Sequence, residues 1–381
     1  MPTPIYLDNN ATTPVAPVAL DSMRDALEVF GNPSSAHGVG RSAREVIENA
    51  RESVARLINA YPSEIAFTSG GTESDNWAIF GALESNPGKR QIVTTRVEHE
   101  AVRKVCEKLE RDGTKVTWLE VDRKGRLDLD QLRHSLDEYT RIVSVMMANN
   151  ETGVIFPIEE VSKIVRERSE ALLHVDAVNA AGKIPLDVRQ LGVDLLSLSA
   201  HKFHGPKGVG VLFIRNGIDL PSIQLGGGQE GGRRAGTEAV HQIAGLGAAA
   251  VYAADLSPME EVRRLRDKLE STILESFDIA SVNGDTENRL PNTSNISFEN
   301  LNGEMILHYL DEAGICVSTG SACNSESKVS SPVLVAMDVP YSRAMGSIRF
   351  SLSRVNTEQE IDGTISCVEE IIGKLTKMTT V

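Results

Sequence analysis

The sequence predicts an α/β protein with a large domain built on a mainly parallel sheet and a smaller α+β domain. Three observations predict it. From about residue 40 to 256, amphipathic stretches alternate with short β-branched runs such as QIVTT, RIVSVMM, ALLHVDA and DLLSLSA, which is the rhythm of βαβ units. A helical pattern starting at Pro258, PMEEVRRLRDKLESTILESF, then sets Glu against Arg or Lys at four-residue spacing on a solvated face, and the strand candidates beyond it (SNISF, CVSTG, SIRFSLS) are mixed with helices. Finally, 381 residues are more than one hydrophobic core usually holds. The break falls near residue 256, so the expected division is 16–256 for the large domain and 1–15 with 257–381 for the small one.

Composition excludes several classes. Apolar residues make up 41% of the chain and charged ones 24%, as in ordinary folded proteins, and no run reaches the apolar length of a membrane span. The N-terminal MPTPIYLDNNATTP is not a secretory signal, so a cytoplasmic location is expected. A net charge of −14 argues against nucleic-acid or anionic-membrane partners, although Arg263, Arg264 and Arg266 could form a local basic patch. The four cysteines lack C-x-x-C spacing, so neither a disulfide framework nor a metal site is expected. Cys106 and Cys367 fall in helical patterns and Cys316 in a short strand, where a thiol packs as a small hydrophobe. Cys323 differs: its setting, STGSACNSESKVSSP, is a polar loop that offers the exposure a reactive thiol needs.

Four segments carry candidate chemistry. In LSLSAHKFHGPKG a strand ends at Ser199 and puts Lys202 at the carboxyl edge of the sheet, where open α/β folds bind ligands. A desolvated lysine there can form a Schiff base with an aldehyde cofactor, although alone it reads as a surface residue beside a turn. Asp176 closes another apolar strand, and a buried carboxylate needs a cation. A protonated pyridine nitrogen would serve, and so would an ordinary salt bridge. IAFTSGGTESDNWAI joins a strand to a helix through Ser69, Gly70, Gly71 and Thr72, an arrangement that presents backbone N–H groups to a phosphate. The plainer reading is a Thr72 cap with Asp75 completing a capping box. His99 also follows a strand and precedes a helix, either as a cap or as a ring stacked on a flat cofactor. The convergence of these segments on one sheet edge is the argument for a site.

With these residues in view, the chain resembles the cysteine desulfurase family, in its nitrogen-fixation-type branch of the fold-type I pyridoxal-phosphate enzymes. The resemblance rests on YLDNNATTP (6–14), GNPSSAHGVGR (31–41), TSGGTES (68–74), EHEAV (98–102), NNETG (149–153), HVDAV (174–178), SAHKFHGPKGVG (199–210), GGGQE to RAGTE (226–238), LPNTSNISF (290–298), STGSAC (318–323) and RFSLSR (349–354). It implies a seven-stranded sheet, pyridoxal 5'-phosphate on Lys202, Asp176 at the pyridine nitrogen, and His99 stacked on the ring and shuttling protons. Gly71, Thr72, Ser199 and His201 would hold the phosphate, with Thr237 supplied by the second subunit of a homodimer. Asn150 and Asn179 would lie near the phenolic oxygen, and Asn32 and Arg349 would bind the substrate carboxylate.

On this resemblance the activity is conversion of L-cysteine to L-alanine. Sulfur is held as a persulfide on Cys323, in a loop at about 318–332, and passed to an iron–sulfur scaffold protein. Whether Cys323 also ligates a transferred cluster is left open. A selenocysteine lyase or cysteine sulfinate desulfinase would use the same cofactor residues but depend less on Cys323. A general aminotransferase would not explain STGSAC, and a non-catalytic sulfur carrier would not explain Lys202, Asp176 and His99. Two positions depart from the family pattern: Asn179 stands where glutamine is common, and Gly231 where arginine is usual.

Overall fold

A computed structural model describes residues 4–319 and 331–379. Its strands are β1 (Ile5–Tyr6), β2 (Ile65–Thr68), β3 (Gln91–Thr95), β4 (Lys115–Leu119), β5 (Thr140–Met146), β6 (Leu172–Asp176), β7 (Leu195–Ser199), β8 (Gly210–Ile214), β9 (Ala280–Val282), β10 (Thr293–Phe298), β11 (Ile315–Cys316) and β12 (Ser347–Ser351). Seven of them form one sheet in the order β2-β8-β7-β6-β5-β3-β4. Only β8 runs against its neighbours. It follows β7 after a short loop, too short for a helical crossover, so it must turn back rather than continue parallel. The other six strands all end at one edge.

Alternation along these strands explains why their sequences read as unbroken apolar runs. Val143, Val145, Leu173, Val175, Val211 and Phe213 pack into a core on one face of the sheet. Ile142, Leu195, Leu212 and Ile214 pack on the other, against Trp77, Ile79 and Val102. A sheet covered on both faces has no polar side to display. The first core also takes in the helices Gly38–Leu57 and Val240–Ala254, and the second takes in Gly71–Ser85 and Glu100–Arg111.

A separate core is built by the helices Pro258–Ser276 and Glu358–Thr379 on an antiparallel sheet of order β12-β10-β9. Leu7 belongs to it too, because the N-terminal segment pairs with two strands of the C-terminal part of the chain: β1 runs parallel to β11, and Asn9 N–H donates to Ser351 O. A basic patch of Arg264 with Arg266, possible on the sequence, does not form. Arg266 is buried and donates to the carbonyls of Leu290 and Thr293, while Arg264 pairs with Glu261 and Glu358. The cause is helical phase, which turns position 266 towards the core and leaves 264 among carboxylates. No helix among the described residues is long and apolar enough to cross a membrane.

Candidate active site

The shared strand edge gathers the side chains. Asp176 is the last residue of β6, Ser199 the last of β7, and Lys202 follows one turn later. His99 follows β3 and is the N-cap of the helix Glu100–Arg111; its Nδ1 accepts from the Ala101 N–H at 3.2 Å. Capping is thus observed, and it also fixes the tautomer. With Nδ1 accepting, the neutral ring carries its proton on Nε2. Burial lowers the His99 pKa and favours that neutral ring, with Asp176 and Lys202 acting on it in opposite senses. The Lys202 amine donates to the main-chain carbonyls of Asn10 and Ala11.

Behind Asp176 lies a buried acidic cluster. Its Oδ1 accepts from the Val178 N–H at 2.9 Å, and burial, then Asp75, push its carboxyl up to about 6. Asp75 is itself raised to about 7 by burial, and its Oδ1 has no hydrogen-bond partner. His174, on the same face of β6 as Asp176, sits between the hydroxyls of Ser144 (2.8 Å) and Ser197 (3.0 Å), 3.5 Å from Asp75. Burial depresses it to about 4. Glu98 Oε1 accepts from Thr95 Oγ1 and Met146 N–H, Oε2 has no partner, and burial holds the carboxyl well above the usual range. Burial raises all three carboxyls, and a cation beside Asp176 would reverse its shift.

The helix Gly71–Ser85 begins one residue before the expected Thr72 cap. Its N-cap is Gly70, at φ 154°, with no side-chain cap. The expected capping box is therefore absent, because Asp75 points into the buried cluster and Glu73 instead accepts from the Ser69 N–H at 2.7 Å. The uncapped first turn leaves backbone N–H groups for an anion. A Cβ at Gly71 would come 2.7 Å from Val178 Cγ2 and 3.6 Å from Ser199 Cβ, so this turn, the end of β7 and the residue two beyond Asp176 close on one another. Thr72 is exposed, and His201 Nδ1 lies 3.1 Å from Thr12 Oγ1. Burial, then Lys202, depress His201 to about 4.

Arg349 on β12 faces the same region. It is 5% exposed, with Nη2 on Asp8 Oδ1 (2.7 Å), Nη1 on Asn150 O (3.0 Å) and Nε without a partner. Asn179 is buried, and its Oδ1 accepts from Lys183. Two predicted residues stand apart from the rest. Asn32 is exposed and uses its Oδ1 on the Ser34 N–H, and Thr237 is exposed on the surface segment 224–239. Gly231, at φ +67°, has no atom within 4 Å of a built Cβ, so an arginine there would stand in open space on a left-handed backbone. Cys323 lies outside the described residues.

Several residues of the site were not singled out from sequence: Asn10, Asp8, Glu98, His174 and Lys183. Asn10, Asp8, Glu98 and His174 fall inside quoted motifs. Lys183, in NAAGK, carries no signal beyond a lysine in an apolar stretch.

The arrangement fits a phosphorylated pyridine aldehyde: Lys202 for the aldehyde, Asp176 with its unneutralised acidic surroundings for the ring nitrogen, and the uncapped helix start for the phosphate. The profile of the aminotransferase class-V family matches residues 5–363. The chain belongs to that family. Its relatives there include a cysteine desulfurase of Gluconacetobacter diazotrophicus, 50% identical over 98% of this chain and 95% of that one, and the cysteine desulfurase NifS of Azotobacter vinelandii, 48% identical over 97% and 93%. At this identity and coverage the chain is a member of the cysteine desulfurase branch, NifS-type. Among solved structures, a NifS-like protein superposes with TM-score 0.93 at 42% identity, covering 98% of this chain and all of that one. SspA in complex with cysteine superposes with TM-score 0.83 at 34% identity, covering 93% and 100%.

Proposed function

We propose that the chain is a pyridoxal-phosphate-dependent cysteine desulfurase. It converts L-cysteine to L-alanine, holds the sulfur as a persulfide on Cys323, and passes it to a scaffold protein for iron–sulfur cluster assembly. The observation that carries this reading is the meeting of Lys202, Asp176 and His99 at one sheet edge, in a chain about half identical to cysteine desulfurases.

When bound, pyridoxal phosphate supplies the electron sink for the charge left when the α-proton departs. Lys202 would hold the aldehyde, and its freed amine would take that proton. Asp176 would keep the ring nitrogen protonated. His99 presents its proton at Nε2, and Arg349 orients the substrate carboxylate through its guanidinium fork. The Cys323 thiolate attacks the substrate sulfur. The carbon–sulfur bond breaks with its electrons left on carbon, which takes a proton to become the methyl group of alanine.

The reading extends to a homodimer in the cytoplasm, with residues 16–256 as the large domain and 1–15 with 257–381 as the small one. Largely separate hydrophobic cores support the division, although Leu290, Val333, Leu334, Met337 and Ala344 of the second segment pack into the large-domain core. Phe30 and Leu225, 86% and 88% exposed, support a covered surface. The unpaired thiols of Cys106, Cys316 and Cys367 suit a reducing compartment.

The test is an absorption spectrum of the purified protein before and after L-cysteine, with alanine and sulfide assayed for wild type and Cys323→Ala. A visible band that shifts with cysteine, and sulfide from wild type alone, is expected. A protein that stays colourless with added pyridoxal phosphate refutes the reading, and sulfide release by Cys323→Ala moves the reaction to a lyase.

A further inference from the structure

Lys183 lies in the turn after β6 and is a buried residue, 8% exposed. It donates to Asn10 Oδ1 (3.1 Å), Asn179 O (2.9 Å) and Asn179 Oδ1 (2.8 Å). All three acceptors are neutral amide oxygens, and three acceptors use the three protons that only the charged form carries. A buried ammonium held only by amides is costly, so its place needs an explanation.

Two features supply one. Asn10 joins the two lysines, because its side-chain oxygen accepts from Lys183 and its main-chain oxygen from Lys202. Lys183 also decides how the Asn179 amide points. With Oδ1 committed to the ammonium, Nδ2 is turned the other way, towards Asn149 O at 3.4 Å.

We propose that Lys183 is a positioning residue for the cofactor site: it locks the carboxamides of Asn179 and Asn10, residues whose three acceptors hold its ammonium in the charged form against burial, and the charge so held beside Lys202 makes the Schiff-base nitrogen on Lys202 bind its proton less tightly. This rests on the pyridoxal-phosphate reading above. Burial, then Lys202, then Arg349 push the Lys183 pKa well below the usual lysine range. The repulsion is mutual, so Lys183 disfavours a proton at Lys202 to the same extent. The other ionisable groups acting on this pair are His99, His201 and His204, with Asp176 acting through His99; all are retained in the variants below.

The experiment titrates the visible absorption of cofactor-loaded protein against pH for wild type, Lys183→Met and Lys183→Gln. Methionine removes the charge and the donors, whereas glutamine removes the charge but keeps two N–H donors, so either variant that folds and binds cofactor tests the inference. The Schiff-base pKa is expected to rise by about one unit in both, a tenfold tighter hold on the proton. Lys183→Arg, which keeps the charge, should stay nearer to wild type. An unchanged or lowered pKa in a folded Lys183→Met or Lys183→Gln overturns the inference while leaving the cofactor reading intact. A wild type that shows no cofactor band overturns that reading and this inference with it.

Discussion

Replacing Arg349 with lysine tests how the site recognises the carboxylate of its substrate. In the structure Nη2 is held by Asp8 and Nη1 by Asn150 O, which fixes the guanidinium plane, and Nε is buried without a partner. A lysine ammonium is a single point charge on a flexible stem and cannot hold Asp8, Asn150 and a carboxylate in one plane. The loss amounts to one charge-assisted hydrogen bond, about 1.5–3 kcal/mol, which at about 1.4 kcal/mol per decade is roughly a 10- to 150-fold fall in kcat/KM. The carboxylate does not change during the reaction, so the binding it contributes is uniform, and the fall belongs mostly in KM with kcat within a few-fold. Steady-state alanine formation against L-cysteine concentration measures both. A KM within about twofold of wild type would refute the assignment of Arg349 to the carboxylate.

Other outcomes follow from the same geometry. Asp176→Asn removes the negative charge proposed for the ring nitrogen, so kcat should fall by about 100-fold or more while the absorption spectrum still shows bound cofactor. Gly71→Ala puts a methyl group 2.7 Å from Val178 Cγ2, and overpacking of about 1–3 kcal/mol should weaken pyridoxal-phosphate binding by roughly 5- to 150-fold, measured by equilibrium titration of the apoprotein. Glu151 is buried and accepts from the Ser331 hydroxyl, and burial raises its carboxyl from 4.5 to about 7. Folded and unfolded chains both hold this proton below the unfolded value, so its contribution is complete there. The contribution falls as pH rises between the two values and is gone above about 7, a change of about 3 kcal/mol. Glu151→Gln should therefore lose less thermal stability than wild type between about pH 5 and pH 8, and parallel melting curves across that range would contradict the assignment.

Strand ends were legible in the sequence because strands buried on both faces leave few polar residues, so Asp176, Ser199 and Lys202 stood out where the apolar runs stopped. His99 was legible as one residue with two readings, and the structure shows the cap, which sets the tautomer that the proposed chemistry would use. The reversed direction of β8 was not legible, because β-branched composition carries no sign of direction. The helix start at Gly70 was missed because Thr72 and Asp75 satisfy a capping pattern locally, whereas burial of Asp75 is a tertiary event. The same holds for Lys183 and Arg266. Pattern alone treats a lysine or arginine as solvent-facing, and only the assembled fold shows the carbonyls that take it inside.

The pairing of the N-terminal segment with the far end of the chain bears on how the protein comes off the ribosome. Asn9 Nδ2 donates to Ser351 O, 342 residues away in sequence, and the neighbouring Asn10 supplies the carbonyl that receives Lys202. During synthesis the segment around Asn10 emerges first and meets its partners Asn150, Lys183 and Lys202 early, but its backbone pairing with β12 must wait until residue 351 has been made, so the large sheet can assemble before this segment is fully held. Contacts of such long sequence separation form late. Nascent chains stalled before residue 347 should therefore bury their sheet core and yet fail to retain cofactor, making cofactor capture a marker of completed translation.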